Sequence, residues 1–260
     1  MTLAHPAYGK LRQVTDTAAV LLADNPGQMT LDGTNTWILR APGSQDCVVV
    51  DPGPKDSEHL DAVAGVGNVV LTLVTHRHRD HTAGLKRFHR KSGAPIRAFE
   101  SKYVHGDTSP LTDGEVIVAA GLSISVLATP GHTADSLCFV LDDAVLTGDT
   151  ILGRGTTVLD PKDGSLADYL SSLDRLEEMS EGKVALPGHG AEIADFPEVV
   201  RFYRKHRLER LAQVRAALHE LGADAKPMQV VKHVYSDVDK KLWPAARMSV
   251  KTQLAYLREN

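Results

Sequence analysis

Short runs rich in apolar and β-branched residues dominate the first part of the chain. They fall at 18–23, 35–39, 47–50 and 69–74, between turn formers such as Asn25-Pro26-Gly27, Asp32-Gly33 and Ala41-Pro42-Gly43. Their length and flanks predict strands. Further strands are predicted at 115–119, 122–128, 137–141, 145–146 and 183–186. Residues 56–63 and 82–91 predict short helices, and Ser165 with Asp168 forms a capping-box pattern that opens a helix running to about Met179. From Pro197 the period changes. Val200, Arg204, Arg207, Leu211, Val214, Leu218 and Leu221 recur at three- and four-residue spacing, which predicts one long helix that Gly222 ends. A short segment, 227–235, precedes a last helix with Val250, Leu254 and Leu257 on one face. The expected organisation is a mixed strand–helix domain over residues 1–195 and a small, mainly helical domain over 196–260.

The 260 residues are 42% hydrophobic and 24% charged, which places the chain among globular proteins rather than disordered or fibrous ones. No run of eighteen apolar residues occurs, so no membrane-spanning helix is expected. Residues 1–13 lack an apolar stretch of signal-peptide length, and a cytoplasmic location is expected. Two cysteines, Cys47 and Cys138, are too few for a disulfide framework and sit in apolar runs, as buried thiols would. Net charge is -4 but uneven. Residues 196–260 hold thirteen Lys or Arg against seven Asp or Glu, a surplus of six, so the remainder carries -10. A basic tail on an acidic body suits contact with a polyanion; the plainer alternative is the solvated face of helices. The densest basic group is Arg201, Arg204, Lys205, Arg207 and Arg210, and either role fits it.

Twelve histidines change the picture. The segment after the 69–74 run reads Thr75-His76-Arg77-His78-Arg79-Asp80-His81, with four metal-competent side chains in six residues. His76 and His78 project to one side of an extended strand end, and a turn into the next helix can aim Asp80 and His81 at a neighbouring point. Such a set suits two adjacent metals. Three singletons follow, each after a predicted strand and among glycines: His132 in Pro130-Gly131-His132, Asp149 in Gly148-Asp149, and His189 in Gly188-His189-Gly190. Each alone reads as a turn residue; together with the dense motif they read as a metal site. His5, His59, His89, His105, His206, His219 and His233 fit no ligand spacing and are expected to pack or lie at the surface.

The set His76, His78, Asp80, His81, His132, Asp149 and His189 resembles the ligand pattern of the metallo-β-lactamase-fold hydrolases: HxHxDH, a later GH, a GD and a final GH, in order. The resemblance covers roughly residues 15–195. Asp51, in Val48-Val49-Val50-Asp51-Pro52-Gly53, resembles the family's early strand-end aspartate, which supports the metal loop without ligating. Gly33-Thr34-Asn35-Thr36-Trp37, the basic helical C-terminus and Trp243-Pro244 resemble the β-lactamase-like protein 2 group, in which a winged-helix-like domain follows the hydrolase. The resemblance implies an α+β chain: an αββα metallo-β-lactamase sandwich of two mixed sheets with helices outside, plus a small helical C-terminal domain.

It also implies two Zn2+ per chain, with manganese or iron compatible with the N and O donors. His76, His78 and His132 would bind one ion, Asp80, His81 and His189 the other, and Asp149 would bridge. A bridging hydroxide is then the nucleophile, with Asp80 as the catalytic residue that orients it and passes on a proton. Thr133 and Thr150 are weaker candidates than Asp51 for outer support, since both equally suit turns. The fold hosts many reactions, so the substrate is a separate question. The basic tail favours cleavage of single-stranded RNA. The acidic body favours a small-molecule thioester, ester or lactone, as in glyoxalase II. A non-catalytic binding role fits poorly with seven intact ligands.

Overall fold

The structure is a computed structural model and describes residues 4–259. Residues 1–3 and 260, the outer ends of the two expected domains, lie outside the described residues. Among the described residues, one sheet has six strands in the order β1 (Arg12–Gln13), β2 (Ala18–Leu22), β3 (Asn35–Leu39), β4 (Asp46–Val50), β5 (Asn68–Leu73) and β6 (Ile96–Arg97). A second has five: β7 (Val116–Ala119), β8 (Leu122–Ala128), β9 (Leu137–Val140), β10 (Ala144–Gly148) and β11 (Val184–Pro187), stacked β11-β10-β9-β8-β7.

Alternation along β4 shows why its run is apolar throughout. Val48 and Val50 point between the sheets, with Trp37, Leu73, Val126, Phe139 and Leu186. Cys47 and Val49 point outward, against Leu60 and Phe88 of α1 (Ser57–Ala64) and α3 (Leu85–Ser92). A strand buried on both faces needs no polar side. The second sheet is covered in the same way: Leu127, Cys138 and Val145 meet Tyr169 and Leu173 of α4 (Leu166–Ser180) and Val200 and Tyr203 of α5 (Phe196–Leu221). The layers are therefore helix, sheet, sheet, helix. Each large side chain buried this way contributes roughly 1.5–3 kcal/mol.

The predicted 82–91 helix begins at Leu85 instead, behind a separate short helix. α2 (Arg79–Thr82) closes on the His78 carbonyl, through His81 N at 3.1 Å and Thr82 N at 3.0 Å. The Gly84 amide then leaves the helical ladder for the Gly53 carbonyl, at 3.2 Å, and α3 starts afresh. The two-residue strands β1 and β6 are too short for any periodicity to reveal. Past 196, α5, α6 (Pro227–Val234) and α7 (Trp243–Glu259) share a core of Val214, Ala217, Val230, Val231, Val250 and Leu254. The N-terminal half of α5 belongs to the sandwich and its C-terminal half to this small core.

β4 and β5 run parallel, as do β10 and β11; β8 is antiparallel to β9, which is antiparallel to β10. Within each sheet, the strands that precede the candidate residues therefore end at one edge.

Candidate metal centre

Each functional side chain follows the C-terminal end of a strand: Asp51 after β4, the His76–His81 segment after β5, His132 after β8, Asp149 after β10 and His189 after β11. The structure brings all eight together. His76 Nε2 and His132 Nε2 lie 3.0 and 3.1 Å from His78 Nδ1. Asp80 Oδ2 lies 3.2 Å from His81 Nε2 and 3.1 Å from His189 Nε2. Asp149 sits between the two groups. Its Oδ2 is 3.7 Å from both His76 Nε2 and His132 Nε2 and 3.3 Å from His189 Nε2, while Oδ1 is 3.6 Å from His81 Nε2. Two clusters result, His76–His78–His132–Asp149 and Asp80–His81–His189, with Asp149 reaching both.

The far nitrogen of each imidazole is also held. His76 Nδ1 bonds Thr75 Oγ1 at 3.0 Å, His78 Nε2 bonds Asp160 Oδ2 at 2.9 Å, and His81 Nδ1 bonds Asp51 Oδ2 at 2.8 Å. His132 Nδ1 bonds the Val158 carbonyl at 2.6 Å, and His189 Nδ1 the Gly33 carbonyl at 2.9 Å. Such contacts fix ring orientation and leave the other nitrogen to face the centre. Asp51 does most: it also accepts from Thr75 N at 2.8 Å and Thr75 Oγ1 at 2.6 Å. Its backbone takes the left-handed region, at φ +52°, a conformation that aspartate tolerates better than most residues and that turns the carboxylate under the loop. Gly188 permits the close approach of the last loop: a Cβ there would lie 2.4 Å from Asp149 Oδ1.

The two clusters differ electrostatically. Burial, with His81 nearby, pushes His76 well below the usual imidazole range, and burial takes His132 down to about 4, so both present lone pairs. Burial would lower His81 and His189 too, but the carboxylates outweigh it. Asp80, Asp51 and Asp149 hold His81 well above its usual value, and Asp149 with Asp80 raises His189 to about 9. Burial would raise Asp80 and Asp149 in turn, and the imidazoles override it and hold both carboxylates low. The second cluster thus carries protons where a cation would carry the charge.

The residues fit a metal pair. Buried His81 Nε2 and Asp149 Oδ1 have no hydrogen-bond partner, an expensive arrangement unless something else bonds them. A tetrahedral ion about 2.0–2.1 Å from each nitrogen needs nitrogens about 3.3 Å apart. In the first cluster the His76–His78 and His78–His132 spacings, 3.0 and 3.1 Å, are already near that value. His78 and Asp80 keep 29% and 24% of their side-chain surface, against 8% or less for the other five, so the approach to the centre is from their side.

Several contributors lie outside the predicted site residues. Asp160 anchors both His78 and Arg77, the latter at 2.8 Å, from a loop ~80 residues away. Thr34 Oγ1 donates to Asp80 Oδ2 at 3.0 Å. Thr75 and Thr157 complete the set; Thr75, next to the dense motif, and Thr34, within 33–37, had a signal in the sequence, whereas Asp160 and Thr157 had none. Thr133 bonds Ser136 and closes its own turn, Thr150 bonds Thr129 of a neighbouring loop, and neither holds an imidazole.

The basic group on α5 does not form one positive face. Arg207 corrects the expectation most clearly: it is buried, donates to the Thr157 carbonyl and stacks on Tyr169 with its guanidinium 4.9 Å from the ring centre. Its position on the packed side of α5 turns it inward. Arg204 bonds Asp174 at 2.7 Å, Lys205 faces Glu209 at 3.9 Å, and Arg210 bonds Gln213 and lies over Tyr235. Arg201 is exposed near Glu177.

Comparison with known proteins gives two family matches. The metallo-beta-lactamase superfamily model matches residues 29–189, and the beta-lactamase associated winged helix domain matches residues 227–260. An atrochrysone carboxyl ACP thioesterase of Aspergillus chevalieri is 33% identical over 227 residues, 83% of this chain and 70% of that protein. A beta-lactamase-like protein 2 homolog of Caenorhabditis elegans is 31% identical over 261 residues, 95% of this chain and 86% of the relative. In structure, a beta-lactamase domain protein from Burkholderia ambifaria superposes with a TM-score of 0.80 at 20% identity, covering 98% of this chain and 90% of that one.

Proposed function

The chain belongs to the metallo-beta-lactamase superfamily, and from that premise we propose that it is a dinuclear-metal hydrolase of small-molecule thioesters. The observation that carries the hydrolase reading is the convergence of seven His and Asp side chains on two adjacent centres, with buried, unbonded atoms facing inward. Two cations held there, one by His76, His78 and His132 and one by Asp80, His81 and His189, with Asp149 shared, would acidify a water and polarise the substrate carbonyl. Zinc suits the donor set best, and manganese and iron are compatible with it.

The chain's own residues do the rest. Asp80 Oδ2 is held by Thr34, His81 and His189. Its other oxygen is left to orient the attacking water and take its proton. Asp51 and Asp160 keep His81 and His78 from turning as the substrate enters. A C–O bond forms, the C–S bond breaks, and the proton taken from the water passes to the departing thiolate, so that an acid and a thiol leave.

Two observations favour a thioester over single-stranded RNA. A relative that matches most of the chain is named as a thioesterase. On α5, Arg207 is buried and Arg204 is bound to Asp174, which leaves no continuous basic stripe there. The protein is expected to work in the cytoplasm, a reducing compartment that suits the two free buried cysteines. The test is full-length protein loaded separately with zinc, manganese and iron, assayed against short-chain thioesters and a single-stranded RNA. Near two equivalents of metal and salt-insensitive turnover of a thioester of an uncharged thiol are expected, whereas RNA cleavage that falls steeply with salt, without turnover of that thioester, would replace this reading. Metal content near zero after loading would remove the hydrolase reading as well.

A further inference from the structure

A cleft of about 560 Å³ lies on the outer side of the metal loop, between the loop after β4, α2, α3 and Tyr103. Its charged lining is Lys55, Arg79, Lys86, Arg87 and Arg90, five cations and no carboxylate. Among the described residues, none of these five side chains makes a hydrogen bond or ion pair. Several other cations of this acidic chain are matched: Lys91 with Asp61, Arg97 with Glu115, Arg77 with Asp160 and Asp163, Arg204 with Asp174. Five like charges around one concavity repel one another and focus a positive potential into it. No carboxylate of the lining compensates them, and a ligand with several negative charges is the complement such a cleft favours.

The cleft is also tied to the metal loop. Arg79 stands between His78 and Asp80, and Thr82 and Ala83 of the same turn line the wall. Tyr103 Oη donates to the Arg77 carbonyl at 3.2 Å, and Thr82 Oγ1 to the His78 carbonyl at 2.9 Å. One long molecule can therefore have its reacting carbonyl at the metal edge and its anionic end against α3. Arginine recognises phosphate through paired N–H donors, and three arginines with two lysines suit several phosphates better than one carboxylate.

We propose that this cleft binds the phosphorylated end of the substrate, a thioester on a carrier with several phosphates, of the coenzyme A type. The assignment rests on the thioesterase reading for the reaction, but the subsite can be tested without turnover. Calorimetry of the full-length protein with adenosine 3′,5′-bisphosphate should show saturable binding that weakens with salt and falls at least about tenfold in the double variant Arg87→Glu, Arg90→Glu. Absent binding, or equal binding by the variant, overturns the subsite. In the metal-loaded enzyme, the readout is the ratio of kcat/KM for an acyl-coenzyme A to that for the same acyl group on N-acetylcysteamine. The double variant should lower that ratio at least about tenfold, and Arg87→Lys, Arg90→Lys should restore most of it. An unchanged ratio overturns the proposal.

Acyl phosphopantetheine, with one phosphate, should fall between the two substrates. Parity with the coenzyme A thioester would assign a single-phosphate tether and overturn the multi-phosphate carrier. Bisphosphate binding without hydrolysis of any thioester would sink the thioesterase reading and leave the anion subsite standing. A single-stranded oligonucleotide that binds through Arg87 and Arg90 when the bisphosphate does not would give the cleft to nucleic acid instead.

Discussion

The segment 75–81 and the stretch 201–210 of α5 both crowd ionisable side chains into a few residues, and they meet opposite environments. On the first, His76 and His81 are buried, aimed inward at His132 and Asp149, and held from behind by Thr75 and Asp51. On the second, the charges are spread around a helix. Arg207 turns into the core, Arg204 and Lys205 find carboxylates, and Arg210 rests on Tyr235. A dense motif at a strand end converges because the strand fixes its direction; a dense run on a helix diverges by about 100° per residue. Charge density in sequence is thus a poor guide to a binding face unless the local structure gathers it.

The largest effect expected from this contrast is at Asp149. Asp149→Ala removes the group that reaches both clusters, and should cut kcat/KM by more than about 1,000-fold, about 4 kcal/mol, with metal content well below that of the parent. Two retained metals with activity within about tenfold of the parent would mean the two clusters do not depend on it.

Next comes the layer behind the edge. Burial pushes His59 down to about 4, and its ring bonds Thr36 Oγ1, which donates to the Asp51 carbonyl. A folded-state value below the unfolded one means that this group's contribution is complete above about pH 6.5 and is lost as pH falls towards 4. The loss should be roughly 3 kcal/mol, and His59→Gln should flatten that part of the stability–pH curve relative to the parent. Parallel curves for parent and variant in denaturant titrations would count against it.

Asp51→Ala should come third. It leaves every proposed ligand in place and frees His81 and Thr75 from their anchor, so metal affinity or activity should fall about 10–100-fold. A loss equal to that of Asp149→Ala would show Asp51 to be a ligand rather than a support.

The smallest effect is expected on α5. Arg204→Glu with Lys205→Glu exchanges exposed pairs, and the stability change should stay within about 0.5 kcal/mol, with an unchanged salt slope for any RNA binding. A slope that drops by about 0.7 per reversed charge would restore the tail as a phosphate grip.

Much of the molecule was legible from sequence, and the physical reasons are particular. Continuous apolar runs such as 47–50 declare strands buried on both faces, and the H-x-H-x-D-H spacing at 76–81 declares a metal loop, because only donors that share a small volume need such local density. The family and its sandwich followed from those motifs, and the long helix ended at Gly222 as the capping rule requires. Tertiary structure alone decided what depends on distant partners. Asp160 joins His78 across the chain and bears no motif, since one aspartate in a loop looks like any other. Arg207 is indistinguishable in sequence from Arg204, yet a turn of α5 separates a buried, stacked guanidinium from an exposed ion pair. The five unpaired cations beside the metal loop, drawn from 55 to 90, are a cluster only because the turn after β4 folds back over α3, and no spacing rule relates Lys55 to Arg90. Periodicity and short motifs record what neighbours along the chain must do together; pairing and its absence are settled only when the layers close.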